Sequence, residues 1–451
     1  MNLPQDEFYR LRSDRTVKCL DGRLPAEIHC AISLGTNWEE ASYVHGALET
    51  LCNLLGRFCP RISVVLTPTQ QVKIDGNHLL GILRTVDPYG HFQLLSELPT
   101  ADLHLRLGET GGVPGRTIFW RYRGWTGMVS NAAAAGSHVP KGRNALHASG
   151  AELAACLAGA AAFRFWTTRT LENFSPFGID LFNMVEVTET PVSEEQFLPQ
   201  KPVSVLMVGG GSVGSSAAYF LPRLGFRGSV DTVDDDIVKV VNMDRSPIFN
   251  LDQGGTSKAA VVAEYLERCG ITAKAYSMRW DDFVKQKQAI LRQYAIWLPL
   301  ANEHGVRRSM QANYPPLCFQ ASTGRNWNVQ FGRHVPFVDD CQIDRFPDEP
   351  SSAFACAAGI VESPSGKKED AALPFSSFIA GLFVAAAVVR SSGGGVHIDE
   401  NAAYLSFNPK FSLWTASRTP AATCICQEMN RAIWEEIWKT SSLTVNNVIT
   451  K

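Results

Sequence analysis

Charge is scarce in this chain, and neither sign dominates. Lys and Arg number 42 against 44 Asp and Glu, and charged residues make up 19% of 451. The basic excess that marks a nucleic-acid binder is missing, so no nucleic-acid partner is expected. A low-hydrophobicity, highly charged tail of the disordered kind is missing too. The longest apolar run, Phe375 to Val389, carries Ser376, Ser377 and Gly381 and falls short of the about 20 residues a bilayer-crossing helix needs, so no membrane partner is expected. The opening MNLPQDEFYRLRSDR lacks the apolar stretch of an export signal, which points to a cytoplasmic protein. The 11 cysteines are odd in number and scattered, unlike a disulfide scaffold, and are expected to be reduced thiols. The 10 histidines form no ligand-spaced cluster.

What is present is a repeated switch between short apolar runs and helical periodicity. Pro202 to Val208 reads as a buried parallel strand that feeds Gly209-Gly210-Gly211. Ser212 to Leu224 carries Val213, Ala217, Phe220, Leu221 and Leu224 at helical spacing. A strand from Gly228 to Val233, an amphipathic helix from Ser257 to Cys269, and strands at Ala295–Leu300 and Leu317–Ala321 follow. Such alternation predicts a doubly wound α/β sheet.

The first half reads as a fainter copy. Arg61 to Leu66 resembles the Pro202 run, Ala101 to Leu105 resembles the Ala295 strand, and the small-residue helix Ala151–Trp166 resembles Phe375–Arg390. On that alignment the middle of the unit is lost, and Thr67-Pro68-Thr69-Gln70-Gln71 replaces the glycine turn. Side chains there would occupy the space of a phosphate, so this copy is expected to bind no nucleotide. Two unrelated α/β domains are the alternative. The Pro- and Glu-bearing stretch Leu171–Gln200 is the expected boundary, and Glu362–Asp370 an expected surface loop.

Gly209-x-Gly211-x-x-Gly214 between strand and helix is a phosphate-binding device, with backbone N–H groups aimed at the ligand. Asp234, 20 residues after Gly214, suits ribose hydroxyls. A NAD-dependent oxidoreductase would use the same parts. The next residues discriminate: Asp234-Asp235-Asp236, then Asn242-Met243-Asp244-Arg245, then Lys258, thirteen residues after Arg245. This pattern, within Pro202–Cys426, resembles the E1-like (ThiF-type) adenylyltransferase superfamily, which includes sulfur-carrier activating enzymes and ubiquitin-type E1 enzymes.

The resemblance implies a Rossmann-like doubly wound adenylation domain at 186–451, preceded at 1–185 by a degenerate, inactive adenylation-like α/β domain, as an internal pseudo-dimer or within a homodimer. It implies ATP bound by Gly209, Gly211, Ser212, Gly214, Asp234, Asp236, Asn242, Arg245, Lys258 and Asn302. It also implies Mg2+, with Asn302 standing where the family places an Asp, and Glu303 or Asp236 as substitute ligands. Arg245 and Lys258 would neutralise charge that builds as a terminal glycine carboxylate attacks the α-phosphorus. The implied partners are a ubiquitin-like protein and an E2-like conjugating enzyme. The layout resembles the compact bacterial E1-like proteins of antiphage operons. A sulfur-carrier adenylyltransferase of a cofactor pathway, and a non-catalytic scaffold for a ubiquitin-like protein, remain alternatives.

In the same frame a crossover segment at about 339–372 would carry a nucleophilic cysteine. Cys356, in Ala355-Cys356-Ala357-Ala358-Gly359, has no acidic neighbour within five residues. Cys341, the alternative nucleophile, lies beside Asp339, Asp340 and Asp344, which disfavour a thiolate. Zinc-bearing relatives supply two Cys-x-x-Cys pairs. Here Cys424-x-Cys426 is one residue short and Cys341 has Asp344 in place of a partner, so zinc at Cys341, Cys424 and Cys426 is not expected. Arg10, Arg12 and Arg15 are candidates to reach into the ATP site from the first half. Trp280, Trp297 and Trp327 read as core or groove aromatics.

Overall fold

The structure is a computed structural model and describes residues 3–20, 24–35, 43–108, 115–131, 148–172, 174–188, 201–324, 327–341, 360–362, 368–370, 373–393, 401–421 and 424–440. It contains two mixed sheets of eight strands. The first is built from β1 (His29–Leu34), β2 (Arg61–Val65), β3 (His91–Leu95), β4 (Leu103–Leu107), β5 (Thr117–Arg123), β6 (Thr126–Ser130), β7 (Phe177–Asp180) and β8 (Val185–Val187). Its order is β3-β2-β1-β4-β5-β6-β7-β8.

The second sheet uses β9 (Val203–Val208), β10 (Gly228–Val233), β11 (Thr272–Tyr276), β12 (Ile296–Pro299), β13 (Cys318–Gly324) and β14 (Asn328–His334). A separate hairpin, β15 (Ile360–Glu362) with β16 (Lys368–Asp370), interrupts it before β17 (Ala402–Ser406) and β18 (Ser412–Ala416). Its order, β11-β10-β9-β12-β13-β14-β17-β18, is that of the first sheet. Directions match as well: the first five strands of each sheet are parallel, and the last three run antiparallel.

The shared order keeps the expected equivalence of β4 with β12 but moves the Arg61 run by one strand. The partner of β9 is β1, while Arg61–Val65 lies at the place of β10. The first half has therefore kept the middle of the unit. Its counterpart of the glycine turn follows Leu34, in residues 36–42, outside the described residues, whereas Thr67 caps a short helix after β2. The misreading came from β1 itself, whose His29, Cys30 and Ser33 weaken the apolar signal of a strand that is in fact wholly buried. The expected boundary at Leu171–Gln200 likewise contains two strands. β7 is short, and β8 is three residues, Val-Glu-Val, and largely exposed, so neither rises above the surrounding Pro and Glu.

The helix layers of the two halves pack on one another. Ser149–Thr168 and Pro374–Ser392 are almost entirely buried. Within the second half, small residues let Ser212–Arg223 and Pro374–Ser392 lie close: a Cβ on Gly381 would stand 2.3 Å from the Ser216 Cβ. The second helix is longer than the run read from sequence, and long and apolar enough to cross a membrane, but 94% of that window is buried within the protein. Beside it, Arg390 donates to the Leu181 carbonyl of the first half at 3.1 Å.

Between the halves lies a buried polar seam. Arg223 pairs with Glu152 at 3.3 Å and with Glu49. Burial pushes the Glu152 carboxyl above its usual value, although Arg223 pulls it back. At the sheet edges, the Leu413 amide of β18 donates to Glu186 of β8 at 2.8 Å.

Candidate nucleotide and acyl-transfer site

Strands β9, β10 and β12 end side by side, and a cleft of about 670 Å³ opens at their carboxyl ends. This is where open α/β sheets bind ligands. The chain leaves β9 through Gly209, whose φ of +101° and 2.4 Å approach of a notional Cβ to the Ala301 amide nitrogen admit no side chain. Gly214 is equally forced, since a Cβ there would meet the Gly209 carbonyl oxygen at 2.0 Å. Gly211 differs: its Cβ would meet nothing within 4 Å, and it faces the cleft. It also precedes the Ser212–Arg223 helix, which has no side-chain cap on its first amides. An open backbone at an uncapped helix N-terminus fits a polyphosphate.

Asp234 ties this turn down. Its Oδ2 accepts from the Gly210 amide at 2.7 Å and its Oδ1 from the Asp236 amide at 2.8 Å. Burial raises its carboxyl above the usual value, against the pull of Lys258. The residue expected to hold ribose thus also shapes the loop, because a carboxylate oxygen accepts more than one bond.

Lys258 opens the helix Lys258–Arg268, with Ser257 as its N-cap. An ammonium at a helix N-terminus is disfavoured by the macrodipole. Asp236 offsets this: its Oδ2 accepts from Lys258 Nζ at 2.7 Å. Burial of the Asp236 carboxyl is outweighed by this lysine, which holds it below the ordinary value. The lysine is 7% exposed and lines the cleft.

Arg245 also lines the cleft and is 4% exposed. Its Nη1 donates to Asp244 Oδ1 at 2.7 Å and to the Val241 carbonyl at 2.8 Å. Asn242 acts one step back, its Oδ1 accepting from the Lys239 amide at 2.9 Å to close the turn. The first half holds this arginine loop from behind. Asn53 and Arg57 both donate to the Pro247 carbonyl, at 3.1 and 3.0 Å, and Arg57 also donates to the Met243 carbonyl. The Thr16 hydroxyl reaches Asp244 Oδ2 at 3.4 Å.

The three N-terminal arginines part company. Arg15 lines the cleft, Arg12 is buried in an ion pair with Asp87 at 3.0 Å, and Arg10 is exposed. Arg279 and Trp280, which follow β11, also line the cleft; Trp280 was expected in the core or a groove, whereas nothing in the sequence singled out Arg279. Their signal was positional: they follow the carboxyl end of a parallel strand.

Asn302 and Glu303, exposed in the cleft after β12, supply an amide oxygen and a carboxylate of the kind Mg2+ accepts. Among the described residues no three His, Cys, Asp or Glu side chains are preformed to hold a metal ion. With ATP as substrate, Asn302 and Glu303 are the residues that would hold a magnesium ion, and the ion would screen phosphate charge.

Cys356 lies outside the described residues, as does most of the expected 339–372 segment. Cys341 is described. It is 3% exposed, is not part of the cleft, and clusters with Cys424 and Cys426. Its neighbour Asp339 is engaged by Arg333 in two bonds, at 2.9 and 2.8 Å. The surroundings of Cys341 are thus a buried sulfur cluster rather than an open nucleophile position.

Known proteins resemble parts of this chain in sequence. Residues 190–323 match the ThiF family. The chain is 23% identical over 188 residues to the NEDD8-activating enzyme E1 catalytic subunit of Dictyostelium discoideum, covering 37% of this chain and 41% of that one. It is 26% identical over 141 residues to a probable molybdopterin-synthase adenylyltransferase of Porphyra purpurea, covering 31% and 35%. The matches therefore span less than half the length of either relative. The crystal structure of E. coli MccB with ATP overlays with a TM-score of 0.39 at 17% identity, covering 49% of this chain and 65% of that one. The stretch that matches the ThiF family, residues 190–323, is the one that carries the glycine turn, Asp234, Arg245 and Lys258.

Proposed function

We propose that the chain is an ATP-dependent activating enzyme that adenylates the C-terminal glycine of a ubiquitin-like protein. The observation that carries this reading is the convergence of Gly211, Arg245 and Lys258 on one cleft, an open backbone flanked by two buried cations. In the proposed reaction the terminal carboxylate oxygen bonds to the α-phosphorus. The bridging α–β P–O bond breaks, and its electron pair leaves on pyrophosphate. Charge accumulates across the phosphates, where a guanidinium and an ammonium in a partly dry cleft stabilise it strongly. A hydride-transfer site has no comparable use for Arg245 and Lys258.

In the next proposed step a thiolate, assigned to Cys356, attacks the acyl carbon and AMP leaves, giving a thioester for transfer to an E2-like enzyme. A bacterial antiphage conjugation system is the proposed setting. The similarity to a molybdopterin-synthase adenylyltransferase supports a second reading, a sulfur-carrier adenylyltransferase that shares the first step and differs in the second.

Exchange of labelled pyrophosphate into ATP separates these. Exchange dependent on a ubiquitin-like protein with a free terminal glycine supports adenylation. A thiol-sensitive adduct absent from Cys356→Ala supports the thioester, and adenylate without an adduct supports the sulfur-carrier reading. Nucleotide-dependent NADH oxidation without exchange would overturn both.

A further inference from the structure

The strand order β11-β10-β9-β12 sets four chain exits in a row along the cleft, spaced by about 4.8 Å from strand to strand. Asn302 follows β12, the glycine turn follows β9, Asp234 follows β10 and Arg279 follows β11, and all four exits line the cleft. The order is kept to the strand ends, where the Asp234 amide still donates to the Tyr276 carbonyl of β11 at 3.2 Å. A nucleotide with its phosphates on the glycine turn and its ribose at Asp234 therefore extends its base toward β11.

Two side chains border that end. Trp280 is 4% exposed, its Nε1 donates to Ser309 Oγ at 2.9 Å, and its ring packs on Phe283 and Trp297 at centroid separations of 5.9 and 6.0 Å. It is committed to the core and is not free to lie against a base. Arg279 is exposed. It precedes the helix Trp280–Leu291 as its N-cap but gives that helix no side-chain hydrogen bond. The neighbouring cations are engaged: Lys258 and Lys239 pair with Asp236 at 2.7 and 3.7 Å, and Arg245 with Asp244 at 2.7 Å. Among the described residues the Arg279 guanidinium has no hydrogen bond, ion pair or ring contact.

We propose that Arg279 holds the nucleobase, its planar guanidinium lying against the face of a purine; the assignment rests on the nucleotide reading of the cleft and deepens it. A guanidinium is planar, weakly hydrated and attracted to the face of an aromatic ring, which an ammonium cannot match. The phosphates have their own cations two strands away, so a base contact is what the position of Arg279 offers. A purine presents a wider face than a pyrimidine, so this residue favours ATP and GTP over CTP and UTP. Contact with the face leaves the base edge unread, so it separates ATP from GTP little.

The test is calorimetric titration of the full chain in magnesium buffer with ATP, CTP and inorganic tripolyphosphate, the last having no base. The parent should bind ATP more tightly than CTP. Arg279→Ala should weaken ATP binding about tenfold, the scale of one lost stacking partner, narrow the gap between ATP and CTP, and leave tripolyphosphate affinity and the melting temperature unchanged. Arg279→Lys should lose as much ATP affinity as Arg279→Ala, because its ammonium has no plane to stack. Unchanged ATP affinity in Arg279→Ala would overturn the assignment while leaving the nucleotide reading intact. An equal loss for ATP and tripolyphosphate would also overturn it, by making Arg279 a phosphate contact. A parent chain that binds no ATP would overturn the nucleotide reading and this assignment together.

Discussion

Arg57 of the first half donates from Nη2 to the Pro247 carbonyl of the second half at 3.0 Å, two residues beyond Arg245. The second half supplies most of the cleft, the first half adds Arg15, and the loop that presents Arg245 is fastened by the first half. The adenylation-like first half then has a physical role: it is the back wall of the Arg245 loop.

Replacing Arg57 should expose that dependence. It is 1% exposed, and burial depresses its guanidinium to about 9. Arg57→Met leaves the Met243 and Pro247 carbonyls without a charged donor, at a cost of about 1.5–3 kcal/mol for each such bond. Urea unfolding should show a loss of a few kcal/mol on that scale, and the KM for ATP should rise at temperatures where the variant is still folded. Arg57→Lys should not restore either, because an ammonium lacks the planar fork that reaches two carbonyls. An unchanged KM in a folded Arg57→Met protein would contradict the account.

Two glycines in the turn should respond differently. Gly214→Ala places a Cβ 2.0 Å from the Gly209 carbonyl oxygen and should lower the melting temperature sharply. Gly211→Ala has open space and should leave stability within about 0.5 kcal/mol. The same substitution should weaken ATP binding, measured by calorimetry, because the methyl group enters the cleft. Equal ATP affinity for Gly211→Ala and the parent would place the phosphates elsewhere.

Asp339 supplies a pH signature. Burial raises its carboxyl, but hydrogen bonding and charge from Arg333, with Asn401, outweigh this and leave it below 3.8. A carboxyl lowered on folding contributes stability above its unfolded value, and loses that contribution as pH falls through the folded one. Asp339→Asn should therefore cost about 3 kcal/mol at pH 7, where the largely covered Arg333 loses this carboxylate. The gap between variant and parent should close as urea unfolding is repeated at pH values falling below 3.8. A gap independent of pH would mean that Asp339 acts by shape alone.

The parts of the site legible in the sequence were those whose chemistry is local. The glycine turn, Asp234, Arg245 and Lys258 lie within one βαβ stretch, so their spacing alone sets them around one cleft. Features assembled over long separations were not legible. Asn53 and Arg57 meet the Arg245 loop across about 190 residues, and nothing near them in sequence marks that contact. β1 escaped because its buried positions carry Cys30 and Ser33 in place of branched aliphatics, which set Arg61–Leu66 against β9 while Ala101–Leu105 kept its place against β12.

The central claim is that Arg245 and Lys258 grip a triphosphate while an acyl phosphate forms. Pyrophosphate exchange into ATP, run with a ubiquitin-like protein bearing a free terminal glycine, measures this most directly. The parent chain should exchange, Lys258→Ala and Arg245→Ala should each lose at least about a hundredfold, the scale of one lost charge-stabilising group, and blocking the terminal carboxylate should abolish the signal. Exchange that persists undiminished in both variants, or proceeds with the carboxylate blocked, would contradict it.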